Sequence, residues 1–180
     1  ARRGAQVTLV IGPTALKPET TDFQVIHVGS AQEMYAACAP LFPEMDITVL
    51  AAAVADYRPA HFSEQKIKKK DEDLNLALEK TIDIAATLGK QKKAHQLLVG
   101  FALETNAALE NARGKLERKN LDFIVLNSLQ DAGAGFGHDT NKITILRRNG
   151  LQTDFELKSK TEVAQDIVDE IARLANPKMV

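Results

Sequence analysis

Short apolar strand-like runs alternate with amphipathic helical stretches, and this alternation predicts an α/β fold, a mostly parallel sheet with helices on both faces. Three observations carry the expectation. Runs rich in Val, Ile and Leu recur at residues 6–11, 23–28, 47–53, 96–102, 123–127, 142–147 and 153–157, and such runs are strand signatures. Apolar residues at helical spacing occupy residues 31–42, 83–88, 106–119 and 161–174. Asn149-Gly150 separates the last two strand runs. That pair suits a hairpin turn, so the sheet is expected to turn antiparallel at its C-terminal end.

Each element has a local reason. The run QVTLVI (6–11) ends at the turn pair Gly12-Pro13. Ser30 is placed to cap a helix whose apolar stripe is Met34, Ala37, Cys38 and Leu41. The run ITVLAAA (47–53) is apolar throughout, the pattern of a strand buried on both faces. Gly114 weakens the helix over 106–119 slightly. Thr161 is expected to cap the closing helix, with Val163, Ile167, Val168, Ile171 and Leu174 as its stripe. The first residues, ARRGA, read as the last turn of a helix with Gly4 as its C-cap. A doubly wound sheet normally places a strand and a glycine-rich loop before such a helix. The expectation is one domain over 1–180 whose N-terminal strand and loop lie outside this sequence.

Composition bounds the function. At 180 residues with 44% hydrophobic and 26% charged residues, the chain can build one real core. Its net charge of -1 gives no global reason to coat nucleic acid. Cys38 is the single cysteine, so no intrachain disulfide can form, and its place on an apolar stripe reads as packing rather than nucleophilic use. No apolar run approaches the ~20 residues of a membrane span, and ARRGAQVTLV has no signal-peptide core. A cytoplasmic setting is the expectation. His27, His61, His95 and His138 have no metal-ligand spacing.

Several segments could carry chemistry. Residues 51–58 (AAAVADYR) follow an apolar strand directly. Small side chains there leave the backbone open to a ligand, and Asp56 stands where α/β sheets bind ligands, beyond the carboxyl ends of strands. A tight strand exit with a solvated aspartate explains the same pattern. Lys66, Lys68, Lys69 and Lys70 precede Asp71, Glu72 and Asp73, then the alternating Leu74, Leu76 and Leu78. This reads as two extended pieces joined by an acidic turn, an excursion from the core. Its lysines could hold a polyphosphate, but a solvated hairpin is the usual fate of a charge run. Lys115 and Lys119 share one helix face and could grip phosphates, or could simply belong to a charged face with Glu104, Glu110 and Glu117. Gly133, Gly135 and Gly137 do not make a dinucleotide loop, because His138 takes the sixth position and a strand follows. Phe136 seals a pocket or anchors that loop.

Together these segments resemble bacterial phosphopantothenate–cysteine ligase, through ARRGAQVTLVIGP, AAAVADYRP, the KIKKK run, GFALETN, the helix ending KLERKNLD, and GFGHDTNKITIL. The resemblance runs through nearly the whole chain in order. It implies a three-layer α/β/α Rossmann-like (ribokinase-like) fold. It implies CTP-dependent ligation of cysteine to 4'-phosphopantothenate through an acyl-cytidylate, with Mg²⁺ and CTP as cosubstrate. It implies Lys66 as the catalytic loop lysine. It implies CTP contacts from Leu50, Ala51, Ala52, Asp56, Lys66, Ile82, Asp83, Ile84, Ala85, Phe101, Lys115 and Lys119, with Ala53 beside the intermediate. The family often has Pro where this chain has Ile82. A homodimer and a fusion to a flavin-dependent decarboxylase are further implications. The family's glycine- and serine-rich loop, arginine and asparagine are not among these residues. Two other readings stand beside this one: a Rossmann-type oxidoreductase, and a docking module using KIKKK. Against the first, FQVIHVGS offers no acidic residue for a ribose.

Overall fold

The computed structural model describes residues 1–16, 22–61, 63, 65–68, 74–104, 107–128 and 137–175. In chain order the elements begin with β1 (Thr8–Ile11), β2 (Gln24–His27), α1 (Ala31–Leu41), a 3-10 turn (Phe42–Glu44) and β3 (Ile47–Leu50). Next come β4 (Tyr57–Pro59), β5 (Leu78–Lys80), α2 (Ile84–Gln91), β6 (Leu97–Glu104), α3 (Ala108–Arg118) and β7 (Phe123–Ser128). The last are β8 (Thr140–Asn141), β9 (Ile143–Arg147), β10 (Gln152–Asp154), β11 (Lys158–Ser159) and α4 (Lys160–Ala175). The chain divides into two compact units, Ala1–Pro40 with Ala52–Ile84, and Leu41–Ala51 with Ala85–Val180.

In the first unit β1 and β2 pair in parallel, Thr8 opposite Gln24 through Ile11 opposite His27. Ser30 caps α1 as its sequence predicts. Its hydroxyl oxygen accepts the Glu33 N–H at 3.2 Å, and the Glu33 carboxylate accepts the Gly29 N–H at 2.8 Å and the Ser30 hydroxyl at 3.1 Å. Those bonds, the Gly29 amide first, hold the Glu33 carboxyl below its usual range. Burial pushes the Cys38 thiol up, in keeping with a packed rather than reactive sulfur. β4 and β5 form an antiparallel ladder from Tyr57–Lys80 to Pro59–Leu78. Arg58 crosses it to Glu79 at 2.7 Å and reaches Gln32 of α1 at 2.6 Å.

The second unit holds a five-stranded sheet in the order β10-β9-β7-β6-β3. β3, β6 and β7 are parallel, while β9 and β10 are antiparallel. The mixed sheet and its C-terminal hairpin are those expected. Gly150 adopts φ +85°, a left-handed conformation that glycine takes without strain, and Arg147 N–H closes the turn onto Leu151 at 2.9 Å. On one face Val99, Phe123, Val125, Ile143 and Ile145 pack with Val163, Ile167 and Ile171 of α4. Strand side chains alternate, so Leu98, Ile124, Leu126 and Leu146, also buried, point to the other face. There α3 packs against β6 and β7 and buries Ala112 and Leu116. β8 and β11 make a short antiparallel pair ahead of α4.

Two local expectations are corrected. The apolar run 47–53 is a strand only as far as Leu50, and Ile47 and Val49 are 37% and 44% exposed. β3 is the end strand of this five-stranded sheet, and Ile47 and Val49, two apart, share one face that is not fully buried. The cap of α4 is Ser159, not Thr161. The Ser159 hydroxyl oxygen accepts the Glu162 N–H at 3.3 Å, and the Glu162 carboxylate accepts the Ser159 hydroxyl at 2.6 Å and its N–H at 3.0 Å. A serine three residues before a glutamate makes a reciprocal capping box, which a lone threonine cannot.

α4 is anchored by Glu170, whose side chain is 6% exposed. Arg147 clasps it with two bonds at 2.6 and 2.9 Å, and Arg173 with two at 3.0 and 2.7 Å. Burial pushes the Glu170 carboxyl up, but the bonds and charges of the two arginines outweigh it and hold the group down at about 2.

Candidate functional site

In the first unit the site begins at Ala52. Residues 52–55 carry no regular structure, and Ala52, Ala53 and Ala55 are exposed. Their side chains are single methyl groups, so their backbone is shielded by little else. Asp56 follows, immediately before β4, and is exposed. Thr81 fixes this segment from the far end of β5. Its N–H donates to the Asp56 carbonyl at 2.9 Å, and its hydroxyl donates to the Ala55 carbonyl at 2.6 Å. The next residues are Ile82, Asp83 and Ile84, the start of α2. Asp56, expected to contact a nucleotide, and the expected contacts Ile82 to Ile84 are therefore held side by side. Lys66 lies in the excursion between β4 and β5, in a stretch without regular structure, and is exposed. Ala60 N–H bonds Ala77 at 2.9 Å, so the two arms of the excursion stay paired just beyond the ladder. Lys69 and Lys70, and Asp71 to Asp73, lie outside the described residues.

In the second unit the parallel strands present their carboxyl ends at Leu50, Glu104 and Ser128. Lys115, on α3, reaches back along its helix to Glu104, Nζ to Oε1 at 2.6 Å, with side chains 35% and 13% exposed. Asn111 adds a bond to the same carboxylate at 3.3 Å. Lys115 is thus drawn to the end of β6, where a ligand of the sheet would sit. Lys119 is rooted one turn further on, at the C-cap of α3. Its carbonyl lies against Gly89 of α2, so close that a Cβ there would sit 2.0 Å away. Asn120 then takes φ +53° and donates to the Gly89 carbonyl at 2.7 Å, ending α3. Phe101 lies on the opposite face of β6 from Glu104, packed on the α4-side core. Its ring packs against that core and is partly buried. Ala85 lies in the first turn of α2.

The structure therefore pairs Asp56 with the 82–84 turn inside one unit, and Lys115 with the end of β6 inside the other. Leu50, Ala51, Ala85, Phe101, Lys115 and Lys119 belong to the second unit, and the remaining expected residues to the first. Gly133, Gly135 and Phe136 lie outside the described residues, while Gly137 adopts φ +78°.

Two residues were missed by sequence reasoning, and a third was visible without its role. Thr81 gives no signal beyond being a hydroxyl residue next to a turn. Glu104 is visible in sequence as a charge on a shared face, but its burial is not. Asn127, near the end of β7, has a buried side-chain oxygen with no hydrogen-bond partner among the described residues, a feature that needs coordinates. Among the described residues, no three His, Cys, Asp or Glu side chains gather into a metal-binding group.

Comparison with known proteins places this geometry. A protein from an unknown prokaryotic organism, named cysteine/cysteine sulfinic acid decarboxylase, is 54% identical over 98% of this chain and 49% of its own length. The coenzyme A biosynthesis bifunctional protein CoaBC of Bacillus subtilis is 42% identical over 96% of this chain and 42% of its own length. The chain thus spans about half the length of the curated relatives it matches. A crystal structure of the C-terminal domain of a CoaBC protein superposes with a TM-score of 0.80 at 39% identity, covering 98% of this chain and 80% of that one. The family pattern described as the C-terminal domain of the DNA/pantothenate metabolism flavoprotein matches residues 1–174, and the chain belongs to that family.

Proposed function

We propose that this chain is a phosphopantothenate–cysteine ligase domain acting in coenzyme A biosynthesis, with CTP as the activating nucleotide. Family membership and the CoaBC relatives support the reaction class. The observation that carries the site is the Thr81 clasp, which holds the Asp56 exit beside the 82–84 turn.

In this reading the carboxylate of 4'-phosphopantothenate attacks the α-phosphate of CTP. The bond to the β-phosphate breaks, and pyrophosphate leaves with its electron pair. The cysteine amine then attacks the acyl carbon, loses a proton, and expels CMP. No protein nucleophile is required; the chain's own groups position the reactants and neutralise charge. The Asp56 exit (Leu50, Ala51, Ala52), the 82–85 turn and Phe101 as an apolar contact bind the nucleotide. Lys115 and Lys119 serve its phosphates. Lys66 meets the charge that develops at the reacting phosphate, and Ala53 leaves room for the intermediate. Mg²⁺ enters as part of the nucleotide cosubstrate. The proposal includes a homodimer, a cytoplasmic setting, and fusion to a flavin-dependent decarboxylase. Among the described residues, no helix is long and apolar enough to cross a membrane.

The test is pyrophosphate release by the natural gene product with CTP or ATP, with and without 4'-phosphopantothenate. Release that needs both CTP and 4'-phosphopantothenate is expected. Carbon dioxide release from cysteine without nucleotide consumption would favour the decarboxylase name instead.

A further inference from the structure

The β4–β5 ladder ends one rung beyond its last strand pair. Tyr57 lies opposite Lys80, and the Thr81 N–H then bonds the Asp56 carbonyl at 2.9 Å. Any residue except proline could make that backbone bond. The Thr81 hydroxyl does something separate. It donates to the Ala55 carbonyl at 2.6 Å, one residue further back, where the chain has no ladder of its own. Ala55 sits between the exposed alanines and Asp56. The hydroxyl is therefore what fixes the direction in which Asp56 leaves the segment.

We infer that Thr81 is a positioning residue for the nucleotide site, acting through its hydroxyl on the Ala55–Asp56 backbone. The inference rests on the proposed nucleotide role of Asp56. It makes a demand that a strand-forming role does not. Valine has the same shape and branching as threonine and suits a strand equally well, but it lacks the hydroxyl. Serine loses a methyl group and keeps it.

The experiment compares steady-state kinetics of the natural gene product with Thr81→Val, Thr81→Ser and Asp56→Asn, alone and combined. Thr81→Val is expected to raise the KM for CTP about fivefold, the net size of one hydrogen bond. Its kcat should stay within about twofold, because the hydroxyl positions a binding element and no reacting atom. Thr81→Ser should restore most of the loss. In the Asp56→Asn background, Thr81→Val should add nothing further, because both changes act on one element. A Thr81→Val enzyme with wild-type KM, beside a raised KM in Asp56→Asn, overturns the inference and leaves the site reading intact. A serine variant as impaired as the valine one overturns it too, as do fully additive effects. An Asp56→Asn enzyme with unchanged KM removes Asp56 from the site and takes the underlying reading with it.

Discussion

Lys115 Nζ lies 2.6 Å from Glu104 Oε1, joining the middle of α3 to the carboxyl end of β6. An ammonium has three donors, and this bond uses one. The carboxylate holds the side chain at the strand end, and the remaining donors could serve phosphate oxygens.

Lys115→Gln should raise the KM for CTP about tenfold, the weight of one charge-assisted bond. It also leaves a carboxylate 13% exposed without its ammonium, at a cost of about 1 kcal/mol, with Lys115 itself partly solvated. Kinetics and urea denaturation read the two effects separately. An unchanged KM would remove Lys115 from the site.

Lys66→Gln should act differently. Lys66 is exposed, so stability should stay within about 0.5 kcal/mol of wild type. If it stabilises charge that appears only as the phosphate reacts, kcat falls at least about a hundredfold while CTP affinity by calorimetry changes little. Loss of affinity with unchanged kcat would make it a binding group alone.

Glu170 makes stability depend on acid. Its folded carboxyl titrates at about 2 against an ordinary 4.5. Folding therefore gains stability that is fully present above pH 4.5 and is lost as pH falls from 4.5 towards 2, on the order of 3 kcal/mol. Glu170→Gln should cost about 3 kcal/mol at pH 7, because Arg147 keeps its 13% exposure without a counter-charge. The variant should also lose much of that acid dependence. Urea denaturation across pH 2 to 7 checks both.

Gly89→Ala should destabilise the second unit by about 2 kcal/mol or more. The new methyl group would meet the Lys119 backbone carbonyl at 2.0 Å, and backbone yields less readily than a flexible side chain. A thermal melt measures it, and a neutral result would mean that α2 and α3 separate at little cost.

The four helices and the strands β1, β2, β3, β6, β7, β9 and β10 were legible because their apolar periodicity is local, whereas the short pairs β4–β5 and β8–β11 carry too few apolar residues to show one. The hairpin was legible because Asn149-Gly150 carries its own conformational signal. The edge position of β3 was not, since the run 47–53 has the composition of a central strand and its place follows from long-range pairing with β6 alone. The cap of α4 was readable as Ser159 three residues before Glu162, and was assigned to Thr161 because the helix pattern starts there. In the site, the alanine-rich exit and Asp56 stood out as small residues after a strand. Thr81 did not, because its partners Ala55 and Asp56 lie 26 and 25 residues away, across the whole excursion. Glu104 and Lys115 are both visible as charges, but eleven residues apart they read as solvated, and only the packing of α3 against β6 brings them together.

The central claim is that the pantothenate carboxylate forms its bond to the α-phosphate of CTP and not to the γ-phosphate. It is tested by giving the natural gene product 4'-phosphopantothenate labelled with ¹⁸O in its carboxylate, together with CTP and cysteine, and weighing the nucleotide product. The account predicts CMP carrying one ¹⁸O. Unlabelled CMP, or label appearing in inorganic phosphate with CDP as the product, would contradict it.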